Sequence, residues 1–143
     1  VLGFGIFFVA ALAELSRPPF DMPIGDSELV FGYMTEYTGI KFAMFLLTEY
    51  AGMIVMSALM TVLFLGGWQP LPGVDLPDGL LGTFLGAGVT LGKIMLLVFM
   101  MVWIRVAYPR LREDQLQRIS WTVLVPLSLL NLAVVAVGKV VVQ

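Results

Sequence analysis

Residues 50–67 read YAGMIVMSALMTVLFLGG and contain no charged residue. Together with residues 42–49 they form an apolar run longer than the ~20 residues that an α-helix needs to cross a bilayer. The paired glycines Gly66 and Gly67 favour the end of a helix, because glycine readily adopts non-helical conformations. We therefore predict a membrane span over residues 39–67.

Three further apolar segments accompany this span, at residues 1–14, 79–105 and 119–140. The first is shorter than a complete span, and we interpret it as the end of a helix whose beginning is missing. Pro126 predicts a kink in the last segment. The expected fold is all-α and integral to the membrane. It is one transmembrane helical domain over residues 1–143 with four spans, the first incomplete, and part of a longer chain.

The composition agrees with a membrane location. The 143 residues are 59% hydrophobic and 13% charged, whereas an average soluble domain has roughly 25% charged residues. The net charge of -2 and the lack of a Lys/Arg cluster argue against nucleic acid as a partner. Cysteine and histidine are both absent, so this chain alone cannot build thiolate-held iron–sulfur clusters, His-ligated haem or the usual zinc sites.

The distribution of arginines predicts the orientation in the membrane. Arg17 lies in the proline-rich loop 15–38, and four more arginines follow between residues 105 and 118. Loop 68–78 contains neither Lys nor Arg. Cytoplasmic loops carry an excess of these residues, so we expect loops 15–38 and 106–118 in the cytoplasm and loop 68–78 outside.

Six of the ten acidic residues fall in the interval from residue 14 to residue 49, among sequence that is otherwise apolar: Glu14, Asp21, Asp26, Glu28, Glu36 and Glu49. Carboxylates are costly in a bilayer unless they face water, a partner or a ligand. On one continuous helix, Glu36 and Glu49 would lie ~20 Å and about 140° apart. This spacing favours stations along a path over a catalytic pair. The alternative, that each carboxylate caps a helix or pairs with a cation, stays open, most of all for Glu28, which follows the possible helix caps Asp26 and Ser27.

Lys93 lies deep inside a predicted membrane span. Lys93 is the only charged residue between Gly79 and Ile104, roughly 16–21 Å from either end of the predicted helix, which is too deep for easy snorkelling. We hypothesise that it faces Glu49 on the neighbouring span and joins the acidic path.

Arg17 lies near Phe20 in a loop stiffened by prolines. It is either a positive anchor at the membrane edge or part of a site for a polar headgroup with an apolar tail.

The third span also carries the spacings Gly82-xxx-Gly86 and Gly88-xxx-Gly92. Small residues four positions apart let membrane helices approach closely. We therefore predict helix packing at these glycines rather than a binding site.

The motif AExxRxPFDxP at residues 13–23, with SELVxGY at 27–33 and TEY at 35–37, closely resembles a known membrane protein family. This family is the membrane-arm subunit called H in bacteria and subunit 1 in mitochondria, part of the proton-pumping NADH:quinone oxidoreductase (respiratory complex I). Residues 108–116, YPRLREDQL, continue the match. Family members have eight spans, so the resemblance implies that this chain is the C-terminal half.

The resemblance also implies roles for individual residues. Arg17, Phe20 and Phe42 would border the quinone chamber. The six acidic residues between positions 14 and 49 would form a proton relay toward antiporter-like pumping subunits. Arg110 and Arg112 would contact the hydrophilic arm.

The implied substrate is a quinone, ubiquinone or menaquinone, with no covalently bound cofactor in this chain. FMN and iron–sulfur clusters would reside in partner subunits. The implied neighbours are the quinone-site and iron–sulfur subunits of the hydrophilic arm, small and antiporter-like membrane subunits, and lipid, in the bacterial inner membrane. Two alternatives stay open: a related subunit of a membrane-bound energy-converting hydrogenase, or a standalone ion transporter.

Overall fold

The described part of the chain is helical and contains no strand. The computed structural model describes residues 2–16, 19–20, 35–70, 79–109 and 111–142. The helices, in chain order, are α1 (Leu2–Glu14), α2 (Ile40–Phe64), α3 (Leu80–Ala107), α4 (Glu113–Ile119) and α5 (Val125–Val142). A π-helical segment, Ser120–Leu124, joins α4 to α5. The predicted all-α class is confirmed.

Three helical runs are long and apolar enough to cross a membrane: Ile40–Phe64, Leu80–Ala107 and Asp114–Val140. They contain 25, 28 and 27 residues, more than the ~20 that a span needs. Helix α1 is also apolar but has only 13 residues. Helices α1 and α2 lie within the segments predicted at residues 1–14 and 39–67, whereas α3 and α5 each extend two residues beyond the segments predicted at 79–105 and 119–140.

Helices α2 and α3 pack against each other within one compact unit, Pro23–Tyr108. Ser57 Oγ on α2 donates to Met101 Sδ on α3 at 3.9 Å, and Lys93 Nζ donates to the Leu65 carbonyl just beyond α2 at 2.6 Å. From the first of these contacts to the second, the residue number therefore rises by eight on the α2 side and falls by eight on α3. The two helices are antiparallel, and α2 ends beside the middle of α3.

The side chains between α2 and α3 are almost fully buried. Met60, Leu97 and Met101 are 0%, 2% and 1% exposed. Ser57 and Thr61 are buried polar residues of the same face, and the Thr61 hydroxyl donates to the Ser57 carbonyl at 2.8 Å. Because this hydroxyl is satisfied within its own helix, the packed face needs no polar partner for it on α3.

The end of α2 depends on two glycines. Gly66 and Gly67 have φ angles of 69° and 53°, in the left-handed region that glycine adopts at little cost. Gly67 N–H turns back to the Thr61 carbonyl at 3.0 Å. The predicted helix end at these glycines is therefore observed, and its cause is their backbone conformation.

Helices α1 and α5 pack together in the second compact unit, which combines Val1–Met22 with Pro109–Gln143. The helical run toward α5 begins at Glu113, inside the segment predicted as loop 106–118. The reason is a local cap: Arg112 N–H donates to Gln115 Oε1 at 3.3 Å. The predicted loop is therefore too long at its C-terminal end.

The π-helical segment lies just before Pro126, where a kink was predicted. Its closing hydrogen bond runs from Val125 N–H to the Ser120 carbonyl. Proline has no N–H to continue an α-helical ladder, and a π-helical turn is one of the ways in which a helix deviates at such a point. The sequence predicted a kink at Pro126, and the irregularity occupies the turn just before it.

Candidate functional site

Glu14 is the last residue of α1, and its side chain is exposed. The chain then leaves the helix through a turn in which Ser16 has a φ of 47°. The carbonyl end of a helix carries partial negative charge, which disfavours a carboxylate there. Helix capping therefore does not explain Glu14, and its predicted role in a proton relay stays a prediction.

A backbone hydrogen bond joins the segment after α1 to the segment before α4. Leu111 N–H donates to the Pro19 carbonyl at 2.9 Å. Phe20, the residue after Pro19, is only 7% exposed. The bond brings together parts of the two loops predicted to be cytoplasmic, so Phe20, predicted at the quinone chamber, lies close in the fold to the segment that carries Arg112.

Arg112 stands at the start of α4 with its side chain in solvent. Its backbone is fixed, because its N–H donates to Gln115 Oε1 and its carbonyl accepts from Gln115 N–H at 3.0 Å. Its guanidinium lies 3.9 Å from the Asp114 carboxylate, and the two side chains are 83% and 90% exposed. Such an exposed pair stabilises a fold very little, and the contact predicted between Arg112 and a hydrophilic arm stays a prediction.

Glu36 precedes α2 instead of lying within a helix. Thr35 and Glu36 form a turn, and α2 begins at Ile40 after Gly39, whose φ and ψ are 62° and -130°. Since this conformation is not helical, no continuous helix connects Glu36 with Glu49. The expected helical spacing between the two carboxylates is therefore wrong, because it assumed a helix through residues 36–49.

An open groove of about 410 Å³ follows the first turns of α2. It is lined by Tyr37, Ile40, Lys41, Met44, Phe45 and Thr48. The rings of Tyr37 and Phe45 have centroids 5.0 Å apart. This groove was not predicted from the sequence, although spacings of three and four residues from Lys41 place most of its lining on one helix face. Phe42, the predicted quinone-site residue of this helix, is not part of the lining and is half-buried.

Glu49 is a half-buried carboxylate well inside α2. It lies about 14 Å from the first residue of the helix, so it cannot cap the N-terminus. Met53 and Ser57, four and eight residues further on, are both buried, which places Glu49 near the face of α2 that packs on α3. The antiparallel register puts Glu49 at the level of the C-terminal end of α3.

Lys93 does not face Glu49. Its ammonium donates to the backbone carbonyls of Leu65, Gly67 and Gln69 at 2.6, 3.1 and 2.5 Å. Leu65 is 16 residues beyond Glu49, which corresponds to about 24 Å along a helix. The hypothesis that Lys93 and Glu49 lie at a comparable depth and face each other is therefore wrong, because α2 ends where it meets Lys93.

Five of the predicted site residues lie outside the described ranges: Arg17, Asp21, Asp26, Glu28 and Arg110. The described ones are divided between the two compact units. Glu14, Phe20 and Arg112 belong to the unit of α1 and α5, and Glu36, Phe42, Glu49 and Lys93 belong to the unit of α2 and α3. Within the described ranges, no group of three or more potential metal ligands occurs.

Comparisons with known proteins agree over nearly the whole chain. A family profile described as NADH dehydrogenase matches residues 1–136. The chain is 47% identical over 138 residues to the H subunit of the NADH-quinone oxidoreductase of Anoxybacillus flavithermus, covering 96% of this chain and 39% of that protein. It is 47% identical over 137 residues to the Brevibacillus brevis protein of the same name, covering 95% and 39%. Against the Geobacillus sp. protein of that name the identity is 46% over 135 residues, covering 94% and 38%. The chain thus spans about two fifths of the length of these relatives.

Proposed function

Since the chain belongs to the NADH dehydrogenase family, we propose that it forms part of the membrane arm of an NADH:quinone oxidoreductase and couples quinone reduction to proton translocation. The relatives, each named as the H subunit of an NADH-quinone oxidoreductase, support the assignment to a subunit of that enzyme. The chain is a multi-pass protein of the bacterial inner membrane, as its three long apolar helices and its bacterial relatives indicate.

The observation that carries the coupling role is the position of Glu49. A half-buried carboxylate inside an apolar membrane helix is costly, and helix capping does not account for it because of its distance from the end of α2. An ionisable residue within a membrane segment is by default a candidate for a functional role such as a proton relay. Among the described carboxylates of the proposed relay, Glu49 is the one that lies inside an apolar helix.

The proposed relay comprises the carboxylates Glu14, Asp21, Asp26, Glu28, Glu36 and Glu49. The proposed quinone chamber is bordered by Arg17, Phe20 and Phe42, with Arg110 and Arg112 contacting the hydrophilic arm. The Pro19–Leu111 hydrogen bond supports this grouping, because it brings the Phe20 segment and the Arg112 segment together.

In this proposal the chain performs no electron transfer. It has no cysteine or histidine with which to hold an iron–sulfur cluster, so FMN and iron–sulfur clusters in partner subunits supply the electrons. Reduction of the quinone headgroup consumes protons and changes the charge near the Arg17 loop. The carboxylates of this chain respond by taking up and passing on protons, and the surrounding apolar helices exclude water from other routes.

Neutralising Glu49 tests the coupling role. In the intact complex, Glu49→Gln should lower inhibitor-sensitive NADH:quinone turnover and the accompanying proton movement at least tenfold, with NADH oxidation by ferricyanide retained. Glutamine preserves the shape but holds no exchangeable acidic proton. Glu36→Gln should act in the same direction.

The matched control is Asp78→Asn, which neutralises a carboxylate at the end of the predicted outer loop and should leave both activities unchanged. Equal loss of the quinone and ferricyanide activities in Glu49→Gln would indicate failed assembly. Full quinone turnover and proton movement in Glu49→Gln would refute the relay.

The comparisons give no support to the two alternatives, an energy-converting hydrogenase subunit and a standalone ion transporter. The partners separate them experimentally. Copurification with a nickel–iron subunit would point to a hydrogenase, and purification without any redox subunit would point to a transporter.

A further inference from the structure

Three backbone carbonyl oxygens converge on one point beside the middle of α3. They belong to Leu65, Gly67 and Gln69, and that point is occupied by Lys93 Nζ, at 2.6, 3.1 and 2.5 Å from them. We call these three oxygens the carbonyl cup. An ammonium group has three N–H donors, so the cup supplies one acceptor for each of them.

The cup is built by the backbone and not by chance side-chain contacts. Its members are alternate residues, and the intervening Gly66 carbonyl is turned to accept from Gln69 N–H at 3.1 Å. The left-handed conformations of Gly66 and Gly67 produce this alternation. The segment after α2 is therefore shaped so that three of its oxygens face one cation.

The cup lies beside the middle of the longest apolar helix. Lys93 is the fourteenth of the 28 residues of α3, about 20 Å from either end of that helix. Backbone oxygens that no helical hydrogen bond satisfies need a donor from the protein or from water. Lys93 satisfies them here.

We propose that the carbonyl cup is a binding site for a monovalent cation, and that the ammonium group of Lys93 is its tethered ligand. This inference does not depend on the proposed proton relay. It makes Lys93 a positioning residue that holds the end of α2 against α3, instead of a proton carrier paired with Glu49. A neutral side chain at position 93 leaves the three carbonyl oxygens without the donor that holds them together, so segment 65–69 should open more often.

Hydrogen exchange of segment 65–69 in the intact, purified complex tests the proposal, because Leu65, Gly67 and Gln69 N–H groups are themselves hydrogen-bonded. Lys93→Met should accelerate exchange in this segment at least tenfold, whereas Lys93→Arg, which keeps a charged donor group, should change it less than threefold. Lys139→Met, at an exposed lysine of α5, is the matched control and should have no effect on it.

A second measurement separates cation binding from packing. Lys93→Ala removes a propylammonium fragment, so added propylammonium should slow exchange in segment 65–69 of this variant, and propanol at the same concentration should not. Wild-type exchange rates in Lys93→Met, or equal effects of propylammonium and propanol, would overturn the proposal. If Lys93→Met fails to assemble, assembly of Lys93→Arg with normal exchange supports a cation requirement. If neither Lys93→Met nor Lys93→Arg assembles, the proposal is refuted, because the site then requires the shape of the lysine side chain and not merely a cation.

Discussion

Replacing Gly67 with alanine should loosen the end of α2 through the backbone alone. Gly67 has a φ of 53°, and a Cβ atom added there meets no heavy atom within 4 Å. No steric clash therefore contributes to the cost. An L-residue in the left-handed region is disfavoured by roughly 1–2 kcal/mol, which corresponds to a factor of about 5–30 in the equilibrium for local opening.

Gly88 offers a matched control for this substitution, because the structure shows no neighbour packed against it, although the sequence predicted helix packing there. It lies within α3, and a Cβ atom added there also meets nothing within 4 Å. Alanine is favoured over glycine inside a helix by about 0.8–1 kcal/mol. The same chemical change should therefore stabilise α3 locally or leave it unchanged, whereas it destabilises the end of α2.

Hydrogen exchange with peptide resolution in the intact complex measures both variants. Gly67→Ala should accelerate exchange of the Gly67 amide, which is bonded to the Thr61 carbonyl, by about 5–30-fold. Gly88→Ala should not accelerate exchange around residue 88. If Gly67→Ala left exchange at the end of α2 unchanged, or if Gly88→Ala had an equal effect at its own site, the conformational argument would be refuted.

Three further predictions concern packing, the partner surface and orientation. Leu97→Ala should lower the thermal stability of the complex by more than Leu96→Ala does, because Leu97 is 2% exposed and Leu96 is 58% exposed. Truncating a buried leucine costs about 2–5 kcal/mol. Equal shifts of the two variants in a thermal inactivation assay would contradict the packing. Arg112→Ala should leave that inactivation temperature unchanged, since its ion pair is exposed, but should release the hydrophilic arm at lower salt, measured by gel filtration. Gln117→Cys, in a chain without native cysteine, should react with an impermeant maleimide in inside-out vesicles and not in intact cells; the reverse pattern would invert the predicted orientation.

The apolar helices were predictable from the sequence because each is dictated by local composition. The segment around residues 50–67 had no charge and ended in two glycines, and the structure ends α2 there for the conformational reason that glycine supplies. Helix α4 was missed because its start depends on one side-chain cap from Gln115, within a stretch that arginines and prolines marked as a loop. The predictions were therefore better for the long spans than for the connections between them.

The site was less predictable, because distances between elements depend on register. The Lys93–Glu49 hypothesis assumed that α2 and α3 overlap along their full length, but α2 ends beside the middle of α3 and Lys93 meets its end. The periodic pattern of residues within one helix does not predict how far α2 and α3 are offset along their axes. The expected spacing of Glu36 and Glu49 failed for a related reason, since Gly39 interrupts the helix that would have related them.

The central claim, that the chain works within an NADH:quinone oxidoreductase, is tested most directly by purifying the native complex through this chain in mild detergent. Its companions are identified by mass spectrometry, and the same preparation is assayed for inhibitor-sensitive NADH:quinone reduction. We expect flavin and iron–sulfur subunits together with that activity. A preparation that contains no redox subunit and reduces no quinone would contradict the claim.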